Sequence, residues 1–396
     1  YTVLPDGGEI MEQKIKSQKL SPMRYISNNK RRVSVLVVSL SLCIAIIYVV
    51  NFLVMTADAM ARNVFLDTRK LSCVIGFTLN FEDDEYADKN NDELKKIWND
   101  IYRENAQKLD QEENIVKAIP FYPVTIQISP PVGMLGYNIS LIEPENADVL
   151  LEHMGATLIE GHLPEKPNEI ALDKATMLNR GFSVGEKIND FTITAILKCD
   201  YYFGYGIIGN ERYLGLNILT KECVEDATTL FPLIGREYNK DTDLLDDYNT
   251  FMHDYEVYVK KELVDSTKYI YVGIFILLFV SLFVVYTTYL RDRHNEWCLY
   301  CSIGYSRKSI YLSIMGELLF TFIVAILAGT VITTAMVFIL DALMMSPKGM
   351  MCQYFYPDKI LEILCAFVLF FGLLQLPIRY ALYKIRTIDA MEDDLY

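Results

Sequence analysis

Four apolar runs limit what this chain can fold into. Residues 33–55 and 270–290 contain no Asp, Glu, Lys, Arg or His; residues 310–340 contain one, Glu317; residues 363–378 form a shorter run with Gln375 and Pro377 near its end. A helix that crosses the roughly 30 Å hydrocarbon layer needs about 20 apolar residues, so each run reads as a membrane span rather than a core helix of a soluble protein. The rest of the chain is of another kind. Although 52% of the residues are hydrophobic and mean hydropathy is +0.19, 22% are charged, which calls for a sizeable soluble part beside the spans.

Basic residues orient the spans. Lys30, Arg31 and Arg32 precede the first; Arg291, Arg293, Arg307 and Lys308 lie between the second and third; Arg379, Lys384 and Arg386 follow the fourth. Four spans put all three clusters on one side, and a basic side is cytoplasmic. The expected division is a cytoplasmic segment 1–32, a first span 33–55 acting as a signal anchor, an outer domain with stalk helices 56–268, and a second span 270–290. A cytoplasmic element 291–309, a third span 310–340, an outer loop 341–359, a fourth span 360–378 and a cytoplasmic tail 379–396 complete it. The expected fold is an α+β membrane protein: four transmembrane helices, with a large mixed α/β extracytoplasmic domain between helices 1 and 2.

Residues 56–268 hold 38 acidic and 21 basic side chains, against a whole-chain charge of −14. So acidic a segment speaks against nucleic acid as a partner and suits a solvated surface that could attract cationic ligands. Within it, 71–80 reads as a β-rich run and 91–110 as a helix with the stripe Leu94, Ile97, Trp98 and Ile101. Strands are expected at 118–128 and 136–142, a short helix at 147–153, and turns at Gly161 and Gly185. The aromatics Tyr201, Tyr202, Phe203 and Tyr205 read as packing, and Asp241, Asp243, Asp246 and Asp247 as a solvated loop.

Catalytic chemistry finds no support. The histidines are dispersed, and no nucleophile, metalloprotease or phosphate-loop motif is present. Cys298 and Cys301 form a lone CxxC, and with His294 they remain one ligand short of a structural zinc site. A bridge between Cys199 and Cys223 is compatible with the sequence, which does not fix its geometry.

The stretch between the second and third spans carries the most specific pattern: Arg291 or Arg293, Glu296, the apolar pair Leu299 and Ile303, then Gly304, Ser306, Arg307, Lys308 and Ile310. It resembles the short cytoplasmic element of MacB/FtsX-type ABC transporter permeases. A second series is Gly161, Pro164, Glu169-Ile170-Ala171-Leu172, Val184-Gly185-Glu186, Ile188 and the run 191–196. It is similar to the outer domain of MacB-type members. The lead-in 25–32 and the ending 384–391, where Thr387 stands in place of the common Pro, extend the resemblance over nearly the whole chain after about Ser21.

The resemblance implies a non-catalytic permease subunit that carries no cofactor of its own. ATP and Mg would be bound by two copies of a separate ABC ATPase. A second permease chain, as homodimer or paralogous heterodimer, would complete the complex, with membrane lipid around it and an extracellular adaptor or peptide substrate as further partners. The setting would be the cytoplasmic membrane of a bacterium, with both termini inside. The work would be mechanotransmission: export of a peptide, antibiotic-like or lipid-linked substrate, or alternatively FtsX-like control of an extracellular cell-wall hydrolase or signalling partner. ATPase coupling is expected at Arg293, Glu296, Gly304, Arg307 and Lys308. Gly304 would end a short surface helix, with Glu296 near its start. Arg307 and Lys308 would meet acidic groups of the ATPase or lipid phosphates. The alternative for the basic residues is topology alone. Glu317 is expected to make a polar contact within the membrane.

Overall fold

The computed structural model describes residues 21–67, 74–78, 90–240, 243–257, 260–261, 266–350 and 352–385. The chain divides into two compact units: Tyr1–Ile47, Ile274–Thr334 and Asp358–Tyr396 form one, and Tyr48–Gly273 with Ala335–Pro357 the other. In chain order the described helices are α1 (Pro22–Asn28), α2 (Lys30–Arg62), α3 (Asn91–Leu109), α4 (Ala147–His153), α5 (Lys174–Arg180), α6 (Tyr248–Asp254), α7 (Ser266–Asp292), α8 (His294–Ser302), α9 (Arg307–Leu340) and α10 (Pro357–Lys384).

Four of these, α2, α7, α9 and α10, are long and apolar enough to cross a membrane. Each starts before its apolar stretch, and α2, α7 and α10 also run past its end. At 1.5 Å per residue, the 33 residues of α2 extend about 50 Å, well beyond a bilayer core. Val272, Ile276, Leu277, Val280 and Val284 on α7, and Leu319, Ile323, Leu327 and Val331 on α9, are exposed. Apolar surface of that extent suits lipid rather than water. Inside the first unit polar contacts join the helices at several points. Ser41 Oγ donates to Ala325 O at 3.0 Å, and Tyr311 Oη donates to Gln375 Oε1 at 3.1 Å, giving the one amide of the fourth run a partner. Phe322 packs against Phe367, Phe370 and Phe371, and Phe279 against Phe370.

The second unit is built on a mixed sheet. Its strands are β1 (Val74–Thr78), β2 (Ile115–Ile128), β3 (Leu135–Ile142), β4 (Thr157–Gly161), β5 (Glu169–Asp173), β6 (Lys187–Ile188), β7 (Phe191–Lys198), β8 (Gly204–Ile207), β9 (Gly215–Thr220) and β10 (Leu244–Asp246). They lie in the order β10-β1-β9-β2-β3-β8-β5-β7-β4, with β6 beside β7. The β3–β8 and β5–β7 pairs are parallel and the others antiparallel. The strands at β2 and β3 and the helix α4 fall where the hydrophobic pattern puts them. So does α3, capped by Asn90, whose side chain accepts from Glu93 N at 2.9 Å.

Two expectations change, and one open question closes. The fully buried face of α3 is Tyr102, Ala106 and Leu109, packed on Phe77, Ile115 and Ile218, while Leu94, Ile97 and Ile101 are half-buried; the true stripe continues from Trp98 at helical spacing beyond where the sequence pattern fades into charge. The aspartate run is not a solvated loop. Asp243 and Asp247 are each 2% exposed, Asp243 beside Arg236 and Asp247 accepting from Ala227 N and Thr250 N, because turns and helix starts need buried acceptors. Leu244–Asp246 is a strand, and Asp241 lies outside the described residues. No disulfide joins Cys199 and Cys223; the Cys199 thiol lies against Met154 O. The aromatics Tyr202, Phe203 and Tyr205 pack in the core, as expected.

The end of α2 belongs to this second core. Met60, Ala61 and, one turn further, Leu66 pack with Ile126, Ile139, Leu172 and Ile193. Asn63 fastens the junction at two points: its Nδ2 donates to Asp200 O, and its Oδ1 accepts from Tyr202 N, both at 3.1 Å. Tyr255 Oη donates to Asp58. A fully buried carboxylate, Asp173, starts α5 by accepting from Thr176 N at 2.9 Å; its other oxygen takes Thr176 Oγ1 at 2.6 Å, Phe203 N at 3.1 Å and Tyr137 Oη at 3.2 Å.

Candidate functional site

The six residues singled out by sequence all lie around the link from α7 to α9. The helix α7 stops at Asp292, and after Arg293 the chain begins α8, with Glu296 in its first turn. An acid there complements the positive end of a helix. The helix ends in a Schellman arrangement. Gly304 N–H donates to Cys301 O at 3.1 Å, Tyr305 N–H donates to Tyr300 O at 3.0 Å, and Gly304 sits at φ 101°, a conformation that a residue with a Cβ adopts only under strain. The Tyr300 and Tyr305 rings meet edge to face, 6.0 Å apart, the side-chain contact that accompanies such an ending. Two residues on, Ser306 Oγ accepts from Ser309 N at 3.2 Å and starts α9.

The short helix has two faces. Trp297 and Cys298 are buried, whereas Leu299 and Ile303 are 59% and 66% exposed and one turn apart. Cys301 is half-buried. Among the described residues, no group of three or more His, Cys, Asp or Glu is placed to hold a metal.

Arg293 turns inward and is 2% exposed. Its Nη1 donates to Glu317, which is 4% exposed, and to Tyr289 Oη at 3.2 Å; its Nε donates to Glu296 Oε2 at 3.3 Å. The flat face of the guanidinium lies 3.5 Å from the centre of the Tyr25 ring, with Tyr289 and Trp297 at 5.6 and 5.7 Å. Such a planar cation satisfies carboxylates along its edge and an aromatic ring on its face at the same time. Glu317 thus pairs with Arg293, and its carbonyl also accepts from Thr321 Oγ1 at 2.8 Å. Burial pushes the Tyr25 hydroxyl above its ordinary pKa, while Arg293 pulls it the other way.

The remaining two residues, Arg307 and Lys308, are both exposed, and Arg307 also has a partner within the chain. Arg307 donates from Nη2 to Ile385 O at 2.7 Å, placing a cation at the C-terminal end of α10. A pocket of about 290 Å³ opens beside Arg293, lined by residues that include Arg24, Tyr25, Asn28, Trp297, Tyr300 and Ser313. The sequence reading missed Tyr25, Tyr289 and Trp297 as site residues. Tyr289 and Trp297 carry a local signal, since each lies four residues from Arg293 and so one helical turn away. Nothing near Tyr25 in sequence points to Arg293.

Comparison with known proteins adds the family. Residues 269–390 match the FtsX-like permease C-terminal family, a range that holds all six residues. No curated protein matches the chain. Among solved structures, similarity is found to the periplasmic region of MacB from Actinobacillus actinomycetemcomitans, at 12% identity over 46% of this chain and 92% of that one, with a TM-score of 0.27. The extracellular domain of the noncanonic ABC-type transporter YknZ from Gram-positive bacteria is similar at 10% identity over 43% and 98%, with a TM-score of 0.26. With four membrane-length helices the chain is a multi-pass membrane protein, and over residues 269–390 it is similar to the FtsX-like permease C-terminal family.

Proposed function

We propose that the chain is the permease subunit of an ABC transporter, coupled through α8 to a separate ATPase chain and transmitting its stroke to a sheet domain outside the membrane. The observation that carries this reading is the two-faced α8. A helix between two membrane-length helices holds its cation and its Trp inward while offering Leu299 and Ile303 outward. An exposed apolar pair one turn apart on a short polar link fits a groove on a soluble partner. Lys308, exposed beside it, supplies a positive rim for acidic groups of that partner. Glu296 and Gly304 act by setting where α8 begins and ends. Arg293 acts from within, under α8, and Arg307 at the end of α10.

Under this reading two ATPase chains bind ATP and Mg below a pair of permease chains, and the termini face the cytoplasm of a bacterial cell. The continuous α2, fastened by Asn63 at its far end, carries motion into the sheet domain. The load is a peptide, antibiotic-like or lipid-linked substrate; the acid excess of residues 56–268 favours a cationic one.

The test is co-purification with the cognate ATPase. Leu299→Glu combined with Ile303→Glu is expected to remove the ATPase while leaving the chain inserted and monodisperse in detergent. Retention of the ATPase at wild-type stoichiometry would refute α8 as its docking element.

A further inference from the structure

We infer that α1 is a clamp on α8, and that Tyr25 is its positioning residue, setting where the coupling element stands without touching ATPase or substrate. The function assigned to the clamp rests on the reading of α8 given above; the clamp itself does not.

The helix α1 has seven residues and no fully buried side chain. An isolated helix that short does not hold its shape in water, so something outside it must. Its backbone is tied at both ends: Arg24 N–H donates to Ser21 O, and Asn29 returns both its backbone N–H and its Nδ2 to Tyr25 O, at 3.0 and 3.2 Å. Contacts of Tyr25 and Pro22 attach it. Tyr25 covers the face of Arg293 at 3.5 Å, and Pro22 fills the space left by Gly316 on α9, where an added Cβ would come within 2.9 Å of the proline ring. The first is the stronger. A guanidinium held away from water gains more from a ring face than an exposed one does, and its edge is already taken by Glu317, Glu296 and Tyr289. Arg293 stands at the N-terminal boundary of α8, so whatever fixes its plane fixes the direction in which α8 leaves α7.

The space around the contact suits a clamp rather than a packed core. The neighbouring pocket runs along α1 and is largely polar, so α1 is not sealed to α8 by apolar surface. The aromatic face on Arg293 is therefore the attachment on which the position of α8 depends.

Hydrogen exchange of the full-length chain in lipid nanodiscs separates this role from simple space filling. Tyr25→Phe keeps the ring and loses the hydroxyl; Tyr25→Leu keeps apolar bulk and loses the ring face. Backbone exchange across 294–304 is expected to quicken about tenfold in Tyr25→Leu, the size of a desolvated cation–π contact, and to stay within about twofold of wild type in Tyr25→Phe. Gly316→Val, which crowds Pro22 without touching Arg293, is expected to act like Tyr25→Leu. Protection of β2 and β9 serves as the folding control and is expected to be unchanged in all three. Equal exchange in Tyr25→Leu and wild type, or equal quickening in the Phe and Leu variants, overturns the clamp. With the cognate ATPase added, Tyr25→Leu is expected to weaken its binding about tenfold and Tyr25→Phe not to. If exchange behaves as expected but the ATPase fails to bind even the wild-type chain, the coupling role of α8 falls and the clamp stands.

Discussion

A buried carboxylate has opposite consequences depending on its partners, and two acids of the sheet unit illustrate both. Asp173 is fully enclosed, and burial pushes its carboxyl above the ordinary value of 3.8 in spite of bonds from Thr176, Phe203 and Tyr137. The folded chain then holds that proton more tightly than the unfolded chain. Its contribution to stability is whole below pH 3.8 and is lost as pH rises through the raised folded value. Glu143 behaves the other way. Burial raises it, but bonds from Tyr213 and Arg103 outweigh burial and hold it below 4.5. Its contribution is present above pH 4.5 and is lost as pH falls through the lowered value. Chemical denaturation of the chain in detergent, followed across pH, is expected to show both slopes. Asp173→Asn should remove the loss that develops above pH 3.8, and Glu143→Gln the loss that develops below pH 4.5. Asp173→Asn carries a further cost of about 1–3 kcal/mol at all pH values, because its amide presents donors where Phe203 N–H and two hydroxyls need an acceptor. A pH profile that neither substitution changes would show that these two carboxyls do not govern acid stability. In Arg293 the same logic keeps a cation inside the protein: edge and face are both satisfied, and removal of Glu317 breaks the buried one of its two ion pairs.

At the scale of the element, α8 shows how a local signal becomes a defined structure. Glu296 in the first turn and Gly304 after the last bound it at both ends, and both are readable in the sequence because helix ends have strong residue preferences. Gly304→Val is expected to cost about 1–3 kcal/mol locally, the strain of a β-branched residue at positive φ, and to unravel the last turn. Faster exchange at 299–305 with unchanged protection of β2 and β9 is the expected result. Unaltered exchange at 299–305 would mean that the glycine is not what ends the helix. The helix α3 teaches the converse. Its span was legible from periodicity, but its inner face was not, since Tyr102, Ala106 and Leu109 alternate with Arg103, Glu104 and Lys108 and the stripe passes through charged sequence. Which side chains go inward there depends on what β1 and β9 present to them.

For the whole molecule, the orientation of the spans is the claim most open to direct test. Cysteines introduced singly at exposed positions of 90–240 into a chain freed of its own thiols are expected to react with a membrane-impermeant reagent on intact cells, and cysteines at 294–304 only after permeabilisation. Labelling of 294–304 from outside would invert the plan. The sequence alone determined the four membrane-length helices, the helices α3 and α4, the strands β2 and β3, and the glycine that ends α8. Each of these follows from a pattern only a few residues long: an unbroken apolar run, a period of two or 3.6, a residue tolerant of positive φ. Tertiary structure decided the rest. The sheet places β1 between β9 and β10 and brings α2 to Asp200 and Tyr202, pairings between segments far apart in the chain. It also buried Asp243 and Asp247, and it brought together Tyr25 of α1, Glu317 of α9 and Arg293 from the turn between α7 and α8. The physical reason is the same throughout: a local preference is worth about 1 kcal/mol and can be read residue by residue, whereas the pairing of distant segments is chosen by burial and polar satisfaction summed over the whole fold.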